Sequence, residues 1–235
     1  MVEEWKRAAA DAAAKLVRGH MFVGLGSGTT VAQVVRALAN LRPKAVFIPS
    51  SFSTQKLADE LGLKLSSLDV HEKLDLMIDG ADEVDPNFNL IKGGGGAHTR
   101  EKIVASAAQK VVIVVDRTKL VRRLGERMPV PVEVLPFARE YTMRHLAKLG
   151  GEPKLRVTPA GTTFVTDNGN YIMDVKFARI AQPAQLEAAI NRVLGVVENG
   201  IFVDVADLVL VGYERGCAKL RLKKDFLKFV QSVKA

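Results

Sequence analysis

Short apolar runs alternate with amphipathic stretches through the first two-thirds of this chain, and that rhythm leaves few folds open. After an amphipathic opening segment, Met21 to Leu25 reads as a strand, Thr29 to Ala39 as a helix and Lys44 to Pro49 as a short strand. Thr54 to Leu61 follows as a helix and Leu74 to Asp79 as a buried strand, then a loop rich in glycine and acid, a helix over Thr99 to Gln109 and the apolar run Val111 to Val115. Strands that alternate with helices build a parallel sheet with helices on its faces. The expected class is α/β, with a Rossmann-like open, mostly parallel sheet, whose sites gather beyond the carboxyl ends of the strands.

From Val130 the rhythm changes. Val130 to Leu135 reads as a strand, Arg139 to Leu149 as a helix and Lys154 to Thr158 as a strand. A hairpin turning at Asn168-Gly169, a helix over Gln185 to Leu194 and a short strand ending near Val203 come next. These elements suit a smaller ferredoxin-like α+β unit built on a split βαβ. Ala206 to Tyr213 is again an unbroken apolar strand, which predicts a return to the first sheet. The expected organisation is a Rossmann-like catalytic domain over 1–128, an inserted α+β domain over 129–204 and a return to the first domain over 205–235. With 235 residues, 48% hydrophobic and 26% charged, the chain has enough apolar material for both cores.

Charge narrows the partners. Lys and Arg total 34 against 26 Asp and Glu, a formal charge of +8, which favours something anionic. The cations are scattered and 6% of residues are aromatic, too few for base-stacking platforms, so nucleic acid is not expected. Lys219, Arg221, Lys223 and Lys224, the densest basic group, fit a solvated strand and helix end. Cys217 is the single cysteine, so no intrachain disulfide and no cysteine-based zinc site can form, and a reducing, cytoplasmic setting is expected. The opening MVEEWKRAAADAAAKLV lacks the apolar stretch of a signal peptide, and no run approaches the roughly 18 apolar residues of a membrane span, so no membrane partner is expected.

Three segments could carry chemistry. Gly24-Leu25-Gly26-Ser27-Gly28-Thr29-Thr30 lies between a strand and a helix, where exposed amides and the helix dipole suit an anion. It lacks the last glycine of a dinucleotide fingerprint, the acid some 20 residues on and the lysine of a P-loop; alone it is equally an ordinary strand–helix turn. Asp79-Gly80-Ala81-Asp82-Glu83-Val84-Asp85 could serve acid–base chemistry or simply form a solvated turn. It has no calcium-loop spacing and no neighbouring histidine, so no metal is expected. Lys92-Gly93-Gly94-Gly95-Gly96-Ala97-His98-Thr99-Arg100-Glu101-Lys102 is the most unusual stretch. Four successive glycines are entropically expensive to order, which suggests close approach of backbone to a ligand, a flexible surface loop being the competing reading. Glu101 in the next helix's first turn is a candidate base, with His98 as a competitor.

Together and in this order, these segments resemble the A-type ribose-5-phosphate isomerase family. The matches are G-x-G-[ST]-G-[ST]-T at Gly24 to Thr30, D-G-A-D-E at Asp79 to Glu83, K-G-G-G with T-R-E-K across Lys92 to Lys102, and D-x-[ST]-K at Asp116 to Lys119. The resemblance spans nearly the whole chain. Gly96 and His98 depart from the small or apolar residues commoner in the family. The resemblance implies an aldose–ketose isomerase that interconverts D-ribose 5-phosphate and D-ribulose 5-phosphate in the non-oxidative pentose phosphate pathway, without cofactor or metal. It implies Glu101 as proton acceptor, with Asp79, Asp82 and Lys92 as catalytic sugar-contacting groups. Ser27, Gly28, Thr29, Thr30, Gly80, Ala81, Gly93, Gly94, Gly95, Lys119 and Lys6 are implied as substrate-binding positions. A homodimer or homotetramer is the expected assembly.

Isomerisation would pass through an enediolate. Glu101 would move the carbon proton, Lys92 would stabilise the oxyanion, and Asp79 or Asp82 would relay a proton between oxygens. An amino-sugar-phosphate deaminase-isomerase or a related acyl-transfer enzyme of similar architecture, and a non-catalytic sugar-phosphate sensor, are the alternatives; a sensor would ordinarily carry a DNA-reading helix pair, which the chain shows no segment for.

Overall fold

In the computed structural model, which describes residues 1–233, the chain forms three sheets. Residues 234 and 235, the end of the expected return segment, lie outside the described residues. Chain order begins with α1 (Val2–Ala14), β1 (Phe22–Leu25), α2 (Gly28–Leu41), β2 (Val46–Pro49), α3 (Phe52–Glu60), β3 (Leu76–Asp79), β4 (Glu83–Val84), β5 (Leu90–Ile91), α4 (His98–Ala107) and β6 (Val111–Asp116). It continues with β7 (Val130–Val134), α5 (Arg139–Lys148), β8 (Gly151–Leu155), β9 (Tyr171–Phe177), α6 (Pro183–Asn191), β10 (Val196–Asn199), β11 (Ile201–Phe202), β12 (Leu208–Tyr213), β13 (Gly216–Leu220) and α7 (Lys223–Ser232).

The large sheet has the order β13-β12-β6-β3-β1-β2, parallel except for β13. Both faces are covered, and β6 shows why its sequence is apolar throughout. Val112 and Val114 join a core with Val31, Val34, Val35 and Leu38 of α2, spaced as one helical face, while Val111, Ile113 and Val115 pack with Val104 of α4 and Phe226 of α7. Among the parallel strands the order is 2-1-3-4-5. The crossovers after β1 and β3 therefore leave for opposite faces, α2 to one and α4 to the other. Where neighbouring strands send their connections apart, a crevice opens at their carboxyl ends.

The second sheet, β10-β7-β9-β8, is antiparallel throughout. Taken with α5 and α6 it is the split βαβ arrangement expected from sequence. Two details differ. The strand expected from Lys154 starts at Gly151 and contains Pro153, which an edge strand tolerates because a missing amide hydrogen there breaks no ladder. The helix expected from Gln185 starts at Pro183, whose fixed φ suits a first helical position.

A third sheet, β11-β5-β4, was not foreseen, because strands of two residues carry no periodicity. It matters for the site: the chain leaves β5 straight into Lys92, whose amide donates to the Gly200 carbonyl at 2.9 Å. Among the described residues no helix is long and apolar enough to cross a membrane.

Candidate active site

The crevice at the β1/β3 divide gathers the three unusual segments. β1 ends into Gly26 and Ser27, β3 ends at Asp79, and the glycine run leads from Lys92 to α4. Their approach demands glycine at position 26, where a Cβ would lie 1.7 Å from Asp79 Oδ1. Gly93 has a φ of +99°, and a Cβ there would meet the His98 ring at 2.6 Å. The glycines thus serve packing as well as turning.

At the centre is one ammonium between two carboxylates. Lys92 Nζ lies 2.9 Å from Asp79 Oδ2 and 3.0 Å from Glu101 Oε2, and donates to the Gly80 carbonyl at 2.6 Å. All three side chains are buried. Asp79 Oδ1 accepts from the Gly80 amide at 2.7 Å and the Ser27 amide at 3.3 Å. Burial, reinforced by the negative charge of Glu101 and only partly opposed by Lys92, pushes the Asp79 pKa up to about 7. Burial works against the Lys92 ammonium, but the charges of Asp79 and Glu101 outweigh it and hold its pKa above the ordinary lysine range. Ser27 Oγ donates to Glu101 Oε1 at 2.5 Å instead of bonding back to its own helix.

Four consecutive residues of α4 point about 100° apart, and each finds a different partner. Thr99 Oγ1 donates to Glu133 of β7. Arg100 Nε donates to Asn168 Oδ1 at 2.6 Å and its Nη2 to the Asp167 carbonyl at 2.8 Å. Lys102 Nζ reaches Glu187 at 2.7 Å, Glu198 at 2.9 Å and the Ile201 carbonyl at 2.8 Å. Three anchors to the second half of the chain fix the helix, and the fourth residue, Glu101, turns into the crevice. Sequence reasoning singled out Glu101 and missed the other three, since their partners lie 34 to 99 residues away.

His98 is corrected from a loop residue to the first residue of α4, with no exposure. Its Nε2 lies 3.2 Å from the Glu198 carbonyl, and burial, outweighing that contact, lowers its pKa. It packs beneath the glycines and does not line the cleft.

The cleft holds about 120 Å³ and is lined by every expected site position except Asp79. Ser27, Gly28, Thr29 and Thr30 form one wall, Gly80, Ala81 and Asp82 another, and Lys92, Gly93, Gly94, Gly95 and Glu101 the floor and lip. Asp79, 1% exposed, sits behind that wall. Asp82 accepts from the Gly94 amide at 2.8 Å. Two cations complete the lining. Lys6 of α1 donates to Thr29 Oγ1 at 3.2 Å. Lys119 ends a turn that Asp116 pins by accepting from the Thr118 amide at 2.9 Å. Within two residues the wall therefore runs from Ser27, on the carboxylate of Glu101, to Thr29, on the ammonium of Lys6. Charged groups at both ends, with hydroxyls and glycine backbone between, suit a short, hydroxylated, anionic molecule.

A family model described as ribose 5-phosphate isomerase A (phosphoriboisomerase A) matches residues 46–216. A Thermosynechococcus vestitus protein named ribose-5-phosphate isomerase A is 53% identical over 217 residues, covering 90% of this chain and 92% of that protein. One of the same name from Pyrococcus abyssi is 44% identical over 226 residues, covering 93% and 98%. Among solved structures, ribose 5-phosphate isomerase A of Methanocaldococcus jannaschii superposes with a TM-score of 0.90 at 43% identity, covering 94% of this chain and 100% of that one. A D-ribose-5-phosphate isomerase in complex with phospho-erythronic acid gives a TM-score of 0.91 at 42% identity, covering 94% and 99%.

Proposed function

We infer the chemistry of this cleft from one premise: the chain belongs to the ribose 5-phosphate isomerase A family. It is an aldose–ketose isomerase, an intramolecular oxidoreductase that interconverts D-ribose 5-phosphate and D-ribulose 5-phosphate. The roles that follow are assigned from this chain's own geometry.

Glu101 is the base. It takes the proton from C2 of the open-chain aldose and returns it to C1, so one carboxylate serves both half-reactions. As the proton leaves C2, negative charge develops on the substrate oxygens. The Lys92 ammonium, already held 3.0 Å from Glu101 Oε2, balances it. The C2 hydroxyl proton must move to O1 for the ketose to form. Asp82 lines the cleft and so relays it, whereas Asp79, behind the wall, acts on the reaction through Lys92. The amide end of α2, with Lys6 and Lys119, takes the phosphate and fixes the reacting carbons in register. The phospho-erythronic acid bound by one relative is an anion of the size and polarity this cleft suits, with Lys92 at one end and Lys6 and Lys119 at the other.

On this reading, residues 1–128 and 205–235 carry the reaction and 129–204 form an inserted unit that braces it. The exposed apolar side chains Phe137 and Leu194, 99% and 75% accessible, support assembly as a homodimer or homotetramer, which light scattering would count. The free thiol of Cys217 accords with a reducing, cytoplasmic setting.

The observation that carries the assignment is a buried carboxylate lining the cleft, bonded to Ser27 on one oxygen and paired with Lys92 on the other. The test is ribulose 5-phosphate formation by purified protein, with and without a strong chelator, in wild type and Glu101→Gln. Full wild-type turnover in chelator and a loss of roughly 10³-fold or more in kcat for the folded variant are expected. Near wild-type turnover by Glu101→Gln would remove Glu101 from the role of base.

A further inference from the structure

The glycine run is the most conformationally free part of the cleft, yet its peptide planes are held from outside by a side chain 63 residues away in sequence. Arg156 Nη1 donates to the Gly93 carbonyl at 2.8 Å and to the Gly94 carbonyl at 3.0 Å. Its Nε donates to Asp174 Oδ2 at 2.9 Å and its Nη2 pairs with Asp174 Oδ1, so the guanidinium is gripped edge-on by a carboxylate of β9. The backbone of Arg156 is itself pinned. Its amide donates to the Ile172 carbonyl at 2.8 Å and its carbonyl accepts from the Phe164 amide at 3.0 Å. Phe164 then lies under the guanidinium, 5.6 Å from ring centre to Cζ, and fills the space beside Gly96, where a Cβ would meet it at 2.4 Å.

A trans peptide points its carbonyl and the following amide hydrogen in opposite directions. With the Gly93 carbonyl turned to Arg156, the Gly94 amide faces the cleft, where it donates to Asp82 at 2.8 Å. With the Gly94 carbonyl turned the same way, the Gly95 amide faces the cleft as well. Glycine peptides flip at little steric expense; the Gly93 carbonyl also accepts from the Gly96 amide at 2.9 Å in a local turn, whereas the Gly94 carbonyl is turned by Arg156.

We propose that Arg156, held by Asp174, is a positioning residue that sets the peptide planes of the glycine loop, so that the Gly94 amide holds Asp82 in place and the Gly95 amide hydrogen is aimed at the reacting oxygens. This rests on the isomerase reading of the cleft. Lysine would not substitute, because one ammonium cannot bond two carbonyls and a bidentate carboxylate in one plane.

The experiment has a kinetic and a spectroscopic arm. Arg156→Lys and Arg156→Ala are assayed on ribose 5-phosphate, the latter with and without added guanidinium. In parallel, amide resonances are recorded from ligand-free protein labelled with ¹⁵N-glycine. A fall of about 100-fold in kcat with less than about threefold change in KM is expected, since the Gly95 amide acts on charge that develops in the transition state. Guanidinium should restore at least about tenfold of that loss in Arg156→Ala, which a general loss of packing would not allow. Gly94 and Gly95 amide resonances should move in both variants. Should Arg156→Ala unfold, Arg156→Lys carries both arms. If wild type fails to turn over ribose 5-phosphate, the isomerase reading fails while the glycine resonances still decide the positioning claim. A kcat within threefold of wild type in Arg156→Lys, or unmoved Gly94 and Gly95 resonances, overturns the proposal.

Discussion

Two carboxylates are equally hidden in this molecule and titrate in opposite directions. Asp79 is 1% exposed and Glu133 is 0% exposed. Burial is the leading influence on both, and acts upward on both. For Asp79 the neighbouring negative charge of Glu101 adds to it, and the pKa rises to about 7. Glu133 meets no such neighbour at hydrogen-bond range. It accepts from Thr99, from Thr166 Oγ1 at 2.9 Å, from Asn168 Nδ2 at 3.0 Å and from Asn170 Nδ2 at 2.8 Å, and these donors pull its pKa below the ordinary glutamate value against the burial. A buried acid fully met by neutral donors is a structural tie. A buried acid that shares one cation with a second acid has a proton within reach at neutral pH, which is the condition of chemistry.

The strongest way to break that contrast is Lys92→Met. It leaves Asp79 and Glu101 buried together without their cation, and a loss of roughly 3–5 kcal/mol in chemical denaturation is expected along with at least about 100-fold in kcat. Adding Asp79→Asn should return most of the stability and none of the activity, because the repulsion is relieved while the oxyanion still lacks a partner.

Glu133→Gln tests the other member. It places an amide NH₂ among groups that donate, so a loss of about 2–3 kcal/mol is expected, with kcat falling less than stability. The pH dependence separates the two acids by sign. A carboxyl whose folded pKa is lowered contributes stability above its unfolded pKa and loses it as pH falls through the folded value. A carboxyl whose folded pKa is raised binds its proton more tightly when folded, so stability declines as pH rises from the unfolded value to the folded one. Urea melts should show Asp79→Asn removing a decline between about pH 4 and pH 7, and Glu133→Gln removing a loss on the acid side. Slopes of the same sign would undo the comparison.

The smallest effect is expected at the solvated end of the cleft. Lys119 is half-buried, so Lys119→Ala should raise KM by roughly tenfold, leave kcat within about threefold and flatten the salt dependence of KM. A kcat effect as large as that of Lys92→Met would mean that the phosphate end and the reacting end are not separate.

Much of this architecture is legible along the chain. Val111 to Val115 is apolar at every position because both faces of β6 are covered, and Asn168-Gly169 does turn the chain, its Gly169 amide donating to the Thr166 carbonyl at 2.9 Å. The segment before that turn is less regular than expected. A first turn at Thr158 to Gly161 precedes it, with Pro159 at its second position and Gly161 at its fourth, a turn signal that the expected single hairpin passed over. Ser27, Asp82, Lys92 and Glu101 stood out because their segments are compositionally odd and match a family pattern. Arg156 and Glu133 stood in ordinary surroundings and carried no local sign, and Thr99, though inside the matched T-R-E-K segment, gave no sign of its partner.

Periodicity, turn chemistry and the clustering of glycine are properties of neighbours, set by sterics and by the apolar area each segment must hide, so a single sequence determined the elements, the α/β class and the segments where ligand could meet backbone. It did not determine the 2-1-3-4-5 strand order, which of the acids would share Lys92, or that Arg156 would reach the glycine carbonyls. Those depend on charges and donors within about 3 Å of one another after distant parts of the chain have packed. Ion-pair and hydrogen-bond energies fall away steeply beyond that distance, so only the tertiary structure could decide which buried carboxylate is held ionised and which is left able to keep its proton.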